Sequence, residues 1–516
     1  MRKATALVAV GVSSVALAGS LLAHADSTPA YDAVAATAPL AMVVGNLFAS
    51  TDNSGWGLPS TVGVTRPRGT AAAVSFLDSG SHGVERTAGT PVAAGQVYTG
   101  SFASRGTSSG TPVTALLSWY DGQGRHLTGD DVRSATATDN KDGWTRYQVA
   151  GLSPPTAVTV RLAASYDDAQ AGATHFLSGS SLTAREQGSA DLLGPLATRG
   201  TSIVDRAGRT VVLRGLNRAG QWDTAQPGGL DARDLARIKA WGGNVVRLTL
   251  GQHKWLPGCA SYDPGYRAAI ARTVRMVNDL GMLAVLDLHF TAPTCATAGA
   301  NPMPDRGSLQ FWQQVARAYK NAPLVAFDLY NEPYGVSAAV WRDGGAARTD
   351  HGVSYRAVGL RPLYDAVRAT GAKNLVLVSG LDRAAAVPGN AWFTGTNVVW
   401  SLHTYVCSLP WLCRSTDTSA RLRTFDPIAR QLPVIVSEFG HPSGQSRDGT
   451  TFNAGVIAYA ESHHWSWAAW AWDVDGTCKQ RQYFNLLSST ACGTGTGTFQ
   501  PSPAAIPILV GLGRNS

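Results

Sequence analysis

Val434-Ile435-Val436-Ser437-Glu438-Phe439-Gly440 and, earlier in the chain, Phe327-Asp328-Leu329-Tyr330-Asn331-Glu332-Pro333 follow one pattern. Each is a short apolar run of strand formers that ends in a Glu, with Pro or Gly within two residues. Such a run reads as a buried strand that the Pro or Gly then terminates. A Glu at the mouth of a buried strand is costly unless it is solvated, paired or put to use. Two such residues in one chain suggest a pair of carboxylates set up for acid–base and nucleophilic work.

Outward from these two runs, the region repeats strand and helix. Strands are expected at 211–216, 244–250, 282–289, 324–330, 374–379, 398–405, 433–438 and 466–472, eight in all. Helical periodicity falls between most of them. Ile270, Val274 and Val277 share one face, and Asp231 is a plausible N-cap ahead of Leu235, Ile238 and Trp241. Eight such units predict a closed (β/α)8 TIM barrel over 201–516. A doubly wound open sheet is disfavoured, because strand after strand ends in a polar residue. These residues are Arg247, His289, Asn331 with Glu332, His403 with Tyr405, Glu438 and Trp472. In a barrel, strand C-termini converge on one pocket.

Ahead of the barrel the composition changes. Arg2 and Lys3, an uncharged run to Leu22 and the small-residue site Ala23-His24-Ala25 fit a signal peptide over 1–25, with secretion to the extracellular space as its consequence. A membrane anchor is disfavoured by Gly11, Ser13, Ser14, Gly19 and Ser20 within that run. Residues 26–40 are expected to be flexible. Residues 41–185 carry short β-prone runs between Gly, Ser, Asp and Pro turns, which predicts a β-sandwich or jelly roll; residues 186–200 are expected to be a linker. The formal charge is +8, of which Arg2 and Lys3 supply two, and the basic residues are scattered, so no nucleic-acid footprint is present. Six Cys in an exported chain predict disulfides, with local pairing expected as Cys259–Cys295, Cys407–Cys413 and Cys478–Cys492. No C-x-x-C or H-E-x-x-H spacing supports a metal site. Gly106-Thr107-Ser108-Ser109-Gly110 formally fits G-x-S-x-G, but no helix is expected after it, so an esterase reading is set aside.

Several short motifs now fall in order: Leu213-Arg214-Gly215-Leu216-Asn217, Asn244-Val245-Val246-Arg247-Leu248, Leu286-Asp287-Leu288-His289, Tyr330-Asn331-Glu332-Pro333, His403-Thr404-Tyr405, Ser437-Glu438-Phe439-Gly440 and Trp470-Ala471-Trp472-Asp473. In this order the chain resembles the cellulase-like glycoside hydrolase family five, over roughly 198–480. The resemblance implies a retaining β-glycosidase with Glu332 as acid/base and Glu438 as nucleophile. It implies that Asn331 bonds the sugar 2-hydroxyl, that Arg247 and Tyr405 hold the nucleophile, that His289 and His403 line the reacting subsite and that Trp472 forms an aromatic floor. Asp287 and Asp328, within their strands, are expected to be structural. A cellulase-like endo-β-1,4-glucanase is the leading expectation. An exo-acting glycosidase, a mannanase and a non-catalytic glycan-binding barrel are the alternatives.

The expected partner is a polysaccharide or oligosaccharide, met by a monomer with no cofactor, no metal, no nucleic acid and no membrane after signal cleavage. Trp222, Trp255, Trp392, Trp400 and Trp411 are candidates for stacking on sugar rings, some of them necessarily core. The N-terminal sandwich looks similar to carbohydrate-binding jelly rolls. For Trp56, Trp119, Tyr120, Trp144 and Tyr147, sugar stacking and sandwich core are both open readings.

Overall fold

The computed structural model describes residues 41–515 apart from 45–61, 66–71, 77–78, 86–88, 94–95, 109, 128–129, 186–187, 222–229, 292–300, 406–417, 442–446, 473–485 and 489–499. The expected signal peptide and flexible segment, Trp56, Trp222 and Trp411 lie outside the described residues.

Eight parallel strands close into a barrel: β1 (Arg214–Arg218), β2 (Val245–Gly251), β3 (Leu283–Phe290), β4 (Val325–Asp328), β5 (Val376–Ser379), β6 (Val398–Tyr405), β7 (Val434–Gly440) and β8 (Ser466–Ala469). Closure comes from β1, which pairs with β2 on one side and with β8 on the other. The strands read as continuous apolar runs because both of their faces are buried. Val245, Leu283, Val285, Leu377, Val399 and Ile435 point into the barrel and form one cluster. Their neighbours Val246, Ala284, Leu286, Val378, Trp400 and Val436 point outward onto the helices and belong to a second. This is the period-two alternation of a strand.

Local chemistry sets the helix ends. The Asp231 carboxylate accepts from the Arg233 and Asp234 N–H groups, and Gly242 closes the same helix (Ala232–Trp241) at φ 104°. On the helix Tyr266–Asp279, Ile270, Val274 and Val277 are buried as the spacing predicts. The first strand differs from expectation. Residues 210–211 belong to a separate three-stranded antiparallel sheet with Ala197–Arg199 and Ser202–Val204. Ile203 of that sheet and Leu196, just ahead of it, join the inner cluster and so cap the end of the barrel where the strands begin.

Residues 41–185 form two antiparallel sheets whose strands alternate between a shared core and the outside. Trp119 and Tyr147 are core residues and Tyr120 is nearly so, whereas Trp144 is 46% exposed. The Arg105 guanidinium lies 5.3 Å from the Trp144 ring and 5.2 Å from Phe176.

The segment expected as a linker is tied down along its described length. Gly188 N–H donates to Ala240 O, Ser189 Oγ to Gly243 O and Ala190 N–H to Asn515 O. The sandwich is held to the barrel in the same region. Arg185 Nη2 donates to Trp241 O at 2.9 Å and to Leu509 O at 3.0 Å. The Gln500 side chain bonds both the N–H and the C=O of Leu152. The C-terminal helix Ile506–Leu512 buries Ile506, Ile508, Leu509 and Leu512, and it touches both the sandwich strand Thr145–Leu152 and the barrel helix Arg447–Ser462. A composition shift marks where the architecture changes, but it carries no information about whether the two parts adhere.

Cys259 is buried and disulfide-bonded. The other five cysteines, and with them the expected pairings, fall outside the described residues. Among the described residues no helix is long and apolar enough to cross a membrane.

A chain beginning at Ala190 should therefore unfold at lower denaturant than the full chain. The loss should be on the order of a few kcal/mol, since burial of a large aliphatic side chain contributes about 1.5–3 kcal/mol. Arg185→Ala in the full chain should lose part of the same amount. Equal midpoints for the long and short chains would mean that the docking contributes no stability.

Candidate active site

The C-terminal ends of the strands bring the singled-out polar residues together. Arg247 comes from β2, Asp287 and His289 from β3, Asp328 from β4, His403 and Tyr405 from β6, and Glu438 from β7. Asn331 and Glu332 follow β4, where Asn331 N–H donates to Leu288 O and ties the turn to β3. At β7 the register against β6 shifts by one residue: Leu402 faces Val436, and His403 faces Glu438. The extra residue, Ser437, bonds Ser401 Oγ at 2.6 Å. A bulge of this kind re-aims the next side chain, here Glu438, into the mouth.

Arg247 organises the pocket. It is 1% exposed. Its Nη1 donates to Glu438 Oε1 at 2.7 Å and to Asn217 Oδ1 at 3.0 Å. Its Nη2 donates to Asn331 Oδ1 at 2.8 Å and lies 3.1 Å from Asp287 Oδ1, and its Nε donates to Asp328 Oδ2 at 3.0 Å. The three carboxylates would leave a dry pocket strongly negative if all were ionised. Burial pushes Asp287 and Asp328 up to about 7 against the pull of Arg247, so protons relieve the excess.

Glu438 is gripped from both sides. Opposite Arg247, the Tyr405 hydroxyl donates to Oε2 at 2.6 Å. Glu332 is more open, its side chain 21% exposed. His403 Nδ1 lies between the two acids, 3.0 Å from Glu332 Oε1 and 3.5 Å from Glu438 Oε2. Burial raises Glu332 above the ordinary carboxylate range, with Arg383, His289 and Arg247 opposing the rise. Burial also lowers His403 to about 3 and His289 to about 4, so both rings are neutral near pH 7. His289 is held by its Nδ1 contact of 2.7 Å to Asp287 Oδ2.

Glu332, His403 and Glu438 offer ligand-capable atoms within 4.8 Å of one another. The atoms of Glu438 are already taken by Arg247 and Tyr405, and His403 Nδ1 faces both acids. The set is better described as two acids with His403 between them than as a preformed cation cage.

Trp472 departs from expectation. It is 0% exposed, its Nε1 donates to Asp234 Oδ1 at 2.7 Å, and its ring meets Trp241 edge-on. It is core, not a floor. Trp470 is the partly exposed aromatic at this strand end. Its N–H bonds Phe439 O, and its ring lies parallel to His289 with centroids 5.6 Å apart. Both Trp residues stand in the same Trp-Ala-Trp run, and only the turn after β8 decides which faces inward. Trp255 and Trp400 are also buried, and Trp392 packs partly against the core.

Sequence reading also missed Asn217 and Arg383 as site residues. Asn217 Nδ2 donates to Ser437 O at 2.8 Å and to Ala468 O at 3.1 Å, joining β1, β7 and β8 behind Glu438. The motif ending in Asn217 was its signal. Arg383 had none, because it sits on a loop after β5.

The cellulase (glycosyl hydrolase family 5) description matches residues 204–476, more than half of the chain. Endoglucanase CelA of Streptomyces lividans is 28% identical over 253 residues, covering 48% of this chain and 49% of that protein. Cellulase CelDZ1 of Thermoanaerobacterium sp is 23% identical over 277 residues, covering 52% of this chain and 68% of that protein. The chain thus spans about half the length of the Streptomyces enzyme it matches. Among solved structures, the catalytic domain of the major endoglucanase from Xanthomonas campestris pv. campestris is similar at 18% identity and a TM-score of 0.47, covering 61% of this chain and 99% of that one. With the family's description spanning the whole barrel, the chain belongs to the cellulase family, glycosyl hydrolase family 5.

Proposed function

We propose that the protein is an exported endo-β-1,4-glucanase that cleaves with retention of configuration. The observation that carries the mechanism is the spacing of the two acids: oxygens of Glu332 and Glu438 come within 4.8 Å of each other. Retaining enzymes hold their carboxyls about 5–5.5 Å apart, whereas inverting ones need about 6.5–9.5 Å to admit a water between acid and base.

In the proposed cycle Glu438 Oε2 or Oε1 attacks the anomeric carbon while Glu332 protonates the leaving oxygen. The C–O bond to the leaving sugar breaks and an ester to Glu438 forms. Water, deprotonated by Glu332, then displaces the ester and restores both acids. Arg247 and Tyr405 orient Glu438 through the bonds of 2.7 and 2.6 Å. Asn331, fixed by Arg247 Nη2, is available to the 2-hydroxyl. His289 and His403, both neutral, line the reacting subsite, and Trp470 takes the platform role expected of Trp472. The glucan assignment draws on the named endoglucanase and cellulase relatives, and export draws on the leader-like residues 1–25.

The test is a screen of protein recovered from culture medium on β-glucans, mannans and aryl glycosides, with product lengths and first-formed anomer read out. Internal cleavage of a β-1,4-glucan to retained products is expected. Products released singly from chain ends would favour the exo-acting alternative.

Glu438→Ala should lose several orders of magnitude in kcat with the fold intact. Azide should partly restore turnover of an activated aryl glycoside and give the inverted glycosyl azide. Turnover near that of the parent protein would remove Glu438 from the mechanism.

Glu332→Ala should cost about 10²–10⁴-fold with poor leaving groups and far less with activated ones. In the parent protein, the alkaline limb of kcat/KM should lie above the ordinary Glu range, because burial keeps Glu332 protonated to higher pH. Equal losses across a leaving-group series, or a limb near an ordinary carboxylate, would argue against the acid role.

Trp470→Ala should raise KM for cello-oligosaccharides by about tenfold or more, on the scale of about 1–3 kcal/mol for a lost stacking partner. Trp472→Phe should instead lower the denaturation midpoint and leave KM near its parent value. The reverse pattern would restore Trp472 as the platform.

A further inference from the structure

The loop after β5 is built to hold one side chain against Glu332. Asp382, Arg383 and Ala384 have φ of 52°, 59° and 61°, three successive non-glycine residues in the left-handed region. Such a run is disfavoured for L-residues and persists only where the surroundings enforce it. Here they do. Arg383 N–H donates to Pro333 O, next to Glu332, at 2.9 Å, and His403 N–H donates to Ala384 O at 3.1 Å. Leu381 and Ala386 close the loop by a bridge. The Arg383 side chain is pinned in turn. Its guanidinium lies 4.1 Å from the Tyr334 ring centroid, and the Tyr334 hydroxyl donates to Asp350 at 2.6 Å. Nη1 is then 3.5 Å from Glu332 Oε2.

Among the described residues, the other charged or titratable groups facing Glu332 are differently committed. Arg247 on β2 is spent on Asp287, Asp328 and Glu438. His289 on β3 and His403 on β6 are held neutral. Asp287 on β3 and Glu438 on β7 are acids, and Tyr405 on β6 donates to Glu438. Among the described residues, Arg383 is the arginine or lysine within ion-pair distance of Glu332.

We propose that Arg383 is the positioning residue that returns Glu332 from acid to base between the two half-reactions, a role that rests on the proposed assignment of Glu332 and Glu438. In the first half the Glu332 O–H bond breaks, its proton goes to the glycosidic oxygen, the C1–O bond to the leaving sugar breaks and C1 bonds Glu438. Glu438 is then an uncharged ester. Glu332 is ionised beside a fixed cation, and Glu438 no longer carries a charge that opposes it. In the second half Glu332 takes a proton from water, the water oxygen bonds C1, and the ester bond breaks to regenerate the Glu438 carboxylate. One water is consumed and both acids return to their starting states. The cation favours the ionised Glu332 that the second half needs and opposes the protonated one that the first half needs.

The test compares Arg383→Gln, Arg383→Lys and the parent protein on aryl cellobiosides of graded leaving-group ability. In Arg383→Gln the alkaline limb of kcat/KM should move up by about one pH unit. For activated substrates, kcat should fall about tenfold with a parallel fall in KM as the glycosyl-enzyme accumulates, visible as a larger burst of released phenol. Arg383→Lys should restore both. Tyr334→Leu, which removes the ring under the guanidinium, should shift the limb in the same direction and serves where Arg383→Gln folds poorly. An unmoved limb with a uniform loss of kcat across the series overturns the proposal and leaves Arg383 a loop brace. If Glu332→Ala shows no dependence on the leaving group, the underlying assignment fails instead.

Discussion

One guanidinium with carboxylates on three sides holds the mouth of this barrel. Arg247 reaches Glu438 at 2.7 Å, Asp328 at 3.0 Å and Asp287 at 3.1 Å, and it fixes Asn217 and Asn331 as well. A buried cation of this kind is tolerable only because its partners are anionic and well placed. The anions need it equally, and even so two of them are pushed up to about 7. The fork geometry of arginine matters, since separate nitrogens serve separate strands. Lysine could supply the charge but not the four directed hydrogen bonds.

The rest of the site is arranged around that hub at two depths. Deeper in, Asp287, Asp328 and Asn217 orient Arg247 and, through Asp287, the ring of His289. Nearer the mouth, Glu438 is held from both sides, whereas Glu332 retains some exposure and faces a cation across 3.5 Å. The two acids therefore start from different environments: one fixed among donors, the other raised by burial and restrained by Arg383.

The apolar runs made the barrel legible. Each of the eight expected strands overlaps an observed one, because strands buried on both faces cannot hide their composition. The polar residues ending those strands were legible for the same reason: a charge at the end of a buried run is an expensive anomaly. The reading failed where a choice depends on the turn. Trp470 and Trp472 are chemically alike and two residues apart, and one is buried against Asp234 and Trp241 while the other lies beside His289. Arg383 was silent because its loop position has no periodicity, and its proximity to Glu332 arises only when the ends of β4 and β5 meet. The segment 186–200 looked like a tether because it is polar, yet its backbone groups find partners on the barrel and at Asn515.

The sequence by itself therefore determined the barrel, its strand order, the meeting of Glu332 and Glu438 at its mouth and the family to which the chain belongs. These follow from local hydrophobic pattern and from motifs whose order along the chain is also their order around the barrel. Tertiary structure alone decided which tryptophan lies beside His289, which cation faces Glu332, how the Ser437 bulge aims Glu438, and that the sandwich is clamped to the barrel through Arg185, Gln500 and the C-terminal helix. Each of these depends on contacts between residues far apart in sequence. Such contacts are selected by closure of the whole fold, and no local pattern encodes them.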